Sequence, residues 1–161
     1  MSVNADVRVL GVEDLERRLK ALPPRMMVNT LRRAVRRGAL PIAERARSLA
    51  PVKTGKLRDS IRVSTRFSRR QLEVISRITA GRARRKGDPF YAAMVEFGTA
   101  PHVIKPRSRK SLFVAGLFRE VVNHPGARAR PFMRPALDAE FGNAFDAIAA
   151  EIKRSLQGDL R

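Results

Sequence analysis

The sequence predicts an α+β fold: a long kinked helix and a C-terminal helix packed on a small, mainly antiparallel β-sheet. Two observations give the helices and one gives the strands. Apolar residues recur at helical spacing from Met27 to Leu49 and again from Leu137 to Ile152, while from Ile61 onward the period drops to two. A chain of 161 residues with 43% hydrophobic content fits a single domain over 1–161 with one core, burying roughly 70% of the surface that the unfolded chain would expose.

Taken in order, "VRVL" at 7–10 reads as a short edge strand that Gly11 interrupts. Val12, Leu15, Leu19 and Leu22 then follow helical spacing, with Glu13 and Asp14 in the first turn, where the helix dipole favours anions. Pro23 and Pro24 end that helix, and Pro24 suits the first turn of the next. The second helix carries Met27, Leu31, Ala34, Val35, Gly38, Ile42, Ala46 and Leu49 on one stripe, with Arg25, Arg32, Arg33, Arg36 and Arg37 over the rest. Pro41 removes a backbone hydrogen bond inside it, so a kink is expected there, and Pro51 forces the stop.

The stretch "SLAPVKTGKLRDSIRV" at 48–63 resembles the end of a phosphate-binding loop, but the comparison fails. The position five before Gly55 is Ala50 and the one after Lys56 is Leu57, so neither the phosphate nest nor the hydroxyl ligand for Mg²⁺ can form. The stretch is a structural junction instead: Thr54 is expected to cap one helical turn, Gly55 to allow a tight path, and Leu57 and Ile61 to anchor it. From Ile61, the residues Val63, Thr65 and Phe67 alternate with Arg62, Ser64 and Arg66, and after "SRR" the segment with Leu72, Val74 and Ile78 completes an antiparallel hairpin.

Beyond the hairpin, Arg82, Arg84, Arg85 and Lys86 lie between Gly81 and Gly87 with nothing apolar to anchor them, which predicts a mobile basic loop at about 81–88. Phe90, Met94 and Phe97 sit on one side of a short helix ending at Gly98 and make an apolar plug. The segments around Leu112–Val114 and "LFREVV" are expected as strands, Pro125 and Gly126 as a turn. The final helix carries Leu137, Phe141, Phe145, Ile148 and Ile152.

Composition narrows the function. Lys and Arg number 34 against 15 Asp and Glu, a formal net charge of +19 with a pI near 11.8, so an acidic partner or a polyanion is expected nearby. The absence of cysteine removes disulfides, thiolate zinc sites and cysteine nucleophiles. No apolar run is long enough for a membrane span, and "MSVNADVRVL" lacks the order of a secretory signal, which predicts a protein made and kept in a cytosol, away from membranes. His102 and His124 belong to no metal-spaced cluster. Glu96, set among apolar residues, is expected to pair with an arginine rather than act as an acid or base. No nucleophile elbow and no dinucleotide fingerprint is present, so neither an enzyme nor a cofactor is predicted. The eight phenylalanines read as core, and with Tyr91 the single tyrosine, base stacking has few candidates, leaving salt-sensitive phosphate contact as the mode for DNA.

Three pieces in order carry a family resemblance: Ala-Pro followed by Thr-Gly-x-Leu-x-x-Ser-Ile at 50–61, Tyr-Ala followed by Val-Glu-Phe-Gly-Thr at 91–99, and Pro-Phe-Met-x-Pro-Ala at 131–136. Together they resemble the tail-completion or head–tail joining proteins of the necks of tailed bacteriophages, over most of the chain. The resemblance implies a small α+β domain, a long helix against a β-sheet, that forms a homo-oligomeric ring, a hexamer by analogy. Such a ring joins the head connector or stopper proteins to the tail tube protein, in the virion neck assembled in the host cytoplasm, and lets double-stranded DNA pass. It implies no cofactor and no catalysis. A tail terminator of a prophage or gene transfer agent fits the same pieces. A free-standing basic nucleic-acid-binding protein and a nuclease stay as alternatives. Within the neck reading, Phe90, Tyr91, Met94, Glu96, Phe97, Pro131, Phe132 and Met133 are the candidate subunit interface. The loop with Arg82, Arg84, Arg85 and Lys86 is the candidate contact to DNA or to an acidic protein.

Overall fold

A computed structural model of the chain describes residues 12–71, 73–81, 89–106, 111–114 and 116–158. The expected strand at 7–10, Leu72 and the basic loop with Arg82, Arg84, Arg85 and Lys86 lie outside the described residues. The chain divides into two units, one comprising Met1–Pro41, Val63–Arg77 and Phe141–Arg161, the other Ile42–Arg62 and Ile78–Glu140.

The fold is α+β, with a long helix, a C-terminal helix and short antiparallel strand pairs. Helix α1 (Val12–Lys20) closes with the Ala21 N–H bonded to the Arg17 carbonyl. Helix α2 (Pro24–Leu49) starts at Pro24, as its sequence predicts, and continues through Pro41. Pro23 supplies the carbonyl that accepts from the Met27 N–H, 3.0 Å away, the first bond of the new helix. The buried face of α2 is narrower and smaller than the stripe read from sequence. Thr30, Ala34, Ala39, Ala43 and Ala46 are buried, whereas Met27, Leu31, Val35 and Ile42 are half-buried and Leu49 is exposed.

In the first unit, α2 meets α5 (Met133–Gly158) through small residues. A methyl group on Gly38 would lie 2.5 Å from Ile148 Cγ1 and 2.8 Å from the Ala144 carbonyl oxygen, so glycine sets how closely the two helices approach. Beside this seam the Glu151 carboxylate is buried and faces three guanidinium groups: Arg154 at 2.9 Å, Arg37 at 3.8 Å and Arg33 at 3.9 Å. Arg33 also donates to the Ser155 hydroxyl at 3.2 Å, tying α2 to the last turns of α5. Strands β1 (Arg62–Ser68) and β2 (Glu73–Thr79) pair across a short turn. Ser64 donates to the Arg77 carbonyl and the Thr65 and Ser76 hydroxyls share a hydrogen bond, an antiparallel register. Arg36 reaches from α2 to the Val63 carbonyl at 3.4 Å.

The second unit contains α3 (Lys56–Asp59), α4 (Ala92–Phe97), four short strands and the start of α5. Strands β3 (His102–Ile104), β4 (Leu112–Val114), β5 (Leu117–Arg119) and β6 (Val122–His124) confirm the expected strand character of this region. They do not join β1 and β2 in one sheet: β3 pairs with β6, and the β4–β5 hairpin is inserted in the connection between them. The Thr99–Ala127 bridge extends the β3–β6 ladder inward in the same register. Most residues of this ribbon face solvent, and a lone two-stranded ladder is marginal in water.

Burial in this chain runs against the usual order. Among the described residues, eight of the twelve buried apolar residues are alanines. Six of the eight phenylalanines, namely Phe90, Phe97, Phe113, Phe118, Phe141 and Phe145, are exposed, which overturns their reading as core. On α5 the predicted stripe splits: Ile152 is buried and Ile148 half-buried, but Leu137, Phe141 and Phe145 form an outward row, with the last two rings 5.4 Å apart. Ala136 and Ala144 take the inward positions.

Candidate assembly site around Glu96

The three sequence pieces at 50–61, 91–99 and 131–136 converge in the second unit. The junction comes first. The N-cap position of α3 is Gly55, with φ of 75°, and no side chain caps this turn, so the expected cap by Thr54 is not made. A left-handed residue at this position reorients the chain without help from a hydroxyl. Leu57 and Ile61 are buried, as expected of anchors. Ser60, also buried, links two segments: its hydroxyl donates to the Leu57 carbonyl at 2.6 Å and accepts from the Gly81 N–H at 3.0 Å. Arg47 from α2 donates to the Ile61 carbonyl at 2.9 Å. The spacing Gly-x-Leu-x-x-Ser-Ile thus encodes one left-handed turn, two apolar anchors and one hydroxyl staple.

Substitutions separate these roles. Gly55→Ala is expected to cost about 1–2 kcal/mol through the left-handed backbone, since nothing lies closer than 3.4 Å to the added methyl group. Gly55→Val should cost more and Gly55→Asn less. Thr54→Ala should be near neutral, within about 0.5 kcal/mol, because no cap is lost. Urea denaturation of the four variants measures this order, and a Thr54→Ala loss as large as that of Gly55→Ala would contradict it.

The second piece forms α4, which ends at Gly98 as predicted. Its buried side is Ala92 and Glu96, while Phe90, Met94 and Phe97 point to solvent at 68%, 47% and 80% exposure, so the expected plug is an outward apolar face. The third piece begins α5. Glu96 joins the two: Oε2 accepts from the Phe132 N–H at 2.8 Å and the Met133 N–H at 2.9 Å, and Oε1 accepts from the Arg134 N–H at 2.9 Å. Backbone amides, not the arginine expected from sequence, hold this carboxylate. The first N–H groups of a helix have no partner within it, and the dipole there favours an anion, so Glu96 acts as a remote cap for α5. Burial alone would push the Glu96 carboxyl up, but the three amide hydrogen bonds outweigh it and hold the group below the usual carboxylate range. The Arg130 N–H adds a bond to the Val95 carbonyl at 2.8 Å.

Of the candidate interface set, Phe90, Met94, Phe97 and Pro131 are exposed, and Tyr91 and Met133 are half-buried. Glu96 and Phe132 are interior, Phe132 at 1% exposure, so their part is to build this site rather than to meet a neighbour directly. Next to the clamp, a surface groove of about 490 Å³ runs between the junction and α4, lined by Val52, Leu57, Tyr91 and Val95, with Lys53 and Arg130 also contributing. Sequence reasoning did not find Ser60, Arg47, Glu151 or this groove. One signal was available for the clamp: the residues before α5 are Arg130, Pro131 and Phe132, none with a side chain suited to capping.

The two histidines, 22 positions apart, are Cα partners across β3 and β6, with rings stacked at 5.0 Å. Backbone groups engage both Nδ1 atoms: His102 with the Ala100 carbonyl at 2.9 Å, and His124 accepting from the Gly126 N–H at 3.0 Å. Among the described residues no group of three or more His, Asp or Glu is placed to hold a metal, and no helix is long and apolar enough to cross a membrane.

An α+β subunit that tucks in alanines and presents aromatic side chains is built for contact with other proteins. Residues 13–98, more than half of the chain, match the family described as "Bacteriophage HK97-gp10, putative tail-component", and the chain belongs to this HK97 gp10-like family. The match takes in the junction and α4 and ends at Gly98, before the β-ribbon and α5. No curated protein and no solved structure is similar enough to count as a match.

Proposed function

We propose that this protein is a structural subunit of the phage neck, which forms a ring joining the head connector to the tail tube and leaves a channel for double-stranded DNA. The observation that carries this reading is the exposure of six phenylalanines on a chain whose described core is mostly alanine. A solitary soluble domain gains nothing from exposing Phe90, Phe97, Phe113 and Phe118, whereas a subunit reserves such faces for its neighbours. The net charge of +19 suits a channel that meets phosphate in passing or an acidic face on an adjoining ring. Family membership supports the tail-component role; the ring, its sixfold symmetry and its DNA channel are our extension of it.

Electron microscopy of joined particles tests the proposal. We expect several copies of the chain around the neck axis, in direct contact with one another. A single copy per particle, or copies that touch only through other proteins, would remove the ring. Salt-sensitive duplex binding by a chain that stays monomeric and is absent from particles would favour a free-standing DNA-binding protein instead.

A further inference from the structure

We propose that the aromatic tip of the β4–β5 hairpin of one copy seats in the groove beside Gly55 of the next copy. This inference rests on the ring reading and specifies which surfaces make its repeating contact. The tip is Leu112–Phe118, seven residues without a charge in a chain that is 30% charged. Phe113 and Phe118 are Cα partners with ring centroids 5.1 Å apart, and they are 65% and 76% exposed. Leu117 adds a further exposed side chain at 57%. Nothing in the hairpin's own chain covers this aromatic pair.

The groove is the complementary surface. Its volume of about 490 Å³ lies in the range of sites that enclose a compact apolar group. Val52, Leu57, Tyr91 and Val95 supply apolar walls, and the charged residues lining it, Lys53 and Arg130, are both basic. A basic rim rejects most of this chain's own surface, which is rich in Lys and Arg. The uncharged tip avoids that repulsion, and its ring faces attract cations, a contact of about 0.5–2 kcal/mol each where desolvated. Charge therefore selects the tip from among the segments of a second copy. Tip and groove are different surfaces, so the contact is head-to-tail, the type that closes into a ring when its rotation permits. The groove is formed partly by the junction and α4, and this gives two of the family-matching pieces a role in assembly.

The absence of native cysteine makes the test clean. Joined particles are prepared from equal amounts of Val52→Cys protein and Phe118→Cys protein, treated with diamide, and analysed by mass spectrometry for disulfides between copies. A disulfide requires Cα atoms within about 7 Å, so a 52–118 link in at least tenfold excess over 52–52 and 118–118 links is the expected result. Particles holding several copies without a 52–118 link overturn the inference and leave the ring standing, whereas particles holding one copy overturn both. In solution, the Phe113→Ser/Phe118→Ser double variant should melt within about 1 °C of the parent, since these rings lie outside the core, yet associate at least tenfold more weakly in sedimentation equilibrium. An unchanged association constant, or a parent that never associates, overturns the inference. So does a photoreactive side chain at position 52 that captures a different virion protein in place of residues 112–118 of a second copy.

Discussion

Glu96→Ala is expected to lower the stability of the free subunit by about 3 kcal/mol, or roughly 6–12 °C in melting temperature for a chain of this size. Three N–H groups at the start of α5 lose an ionised acceptor, and no neighbouring side chain at the helix start can replace it. Glu96→Gln should lose somewhat less, about 2 kcal/mol, because its amide oxygen still accepts while its NH₂ faces donors. The pH dependence separates a charged clamp from a space-filling role. The folded carboxyl lies below its unfolded value, so its contribution is complete above about pH 4.3 and is lost as pH falls through the folded value. The stability gap between parent and Glu96→Gln should therefore be widest near neutrality and shrink in acid. Urea denaturation at several pH values measures it. A gap independent of pH would show that the carboxylate's charge contributes nothing.

Glu96 also marks where sequence reasoning stopped. A lone carboxylate between Val95 and Phe97, in a chain with 34 Lys and Arg, suggests a guanidinium partner. The actual partners are main-chain N–H groups from 36 to 38 positions away, and residue letters carry no direct mark of them. What the sequence does record is the absence of a capping side chain before Met133, and that gap requires an acceptor from elsewhere. The junction behaved similarly. Gly55 was legible because few other residues tolerate a positive φ, but Thr54 was given a cap on residue type alone, and the left-handed turn made that cap unnecessary.

The helices and the hairpin were legible because periodicity follows from geometry. Pro24 opens α2, Gly98 ends α4, and the period of two marks β1 and β2. Periodicity does not say which of two apolar faces the chain itself will cover. On α2 the buried row is Ala34, Ala43 and Ala46, offset from Leu31, Val35 and Ile42. On α5 it is Ala136 and Ala144, while Leu137, Phe141 and Phe145 stay outside. Close helix approach at Gly38 explains part of this, since only small side chains fit in that seam. The larger residues are left for contacts that one chain cannot make.

Phe132→Ala should be the most damaging of the phenylalanine substitutions, at about 4 kcal/mol, because Phe132 is the one phenylalanine buried to 1% exposure. Its backbone N–H is also one of the three held by Glu96, so a cavity beneath it can relax only by disturbing the clamp. The double variant with Glu96→Ala should accordingly lose less than the two single losses combined, by about 1 kcal/mol, as expected for residues sharing one contact network. Phe97→Ser and Phe118→Ser, by contrast, should stay within about 0.5 kcal/mol of the parent, since these side chains are 80% and 76% exposed. Thermal melts of the four variants measure the contrast, and joining of heads to tails in the same set measures its complement. The exposed-ring variants should fold normally and fail in assembly, whereas Phe132→Ala should fail at folding. Equal stability losses for Phe132 and Phe118 would mean that the chain does not bury its alanines and present its aromatics in the way assigned here.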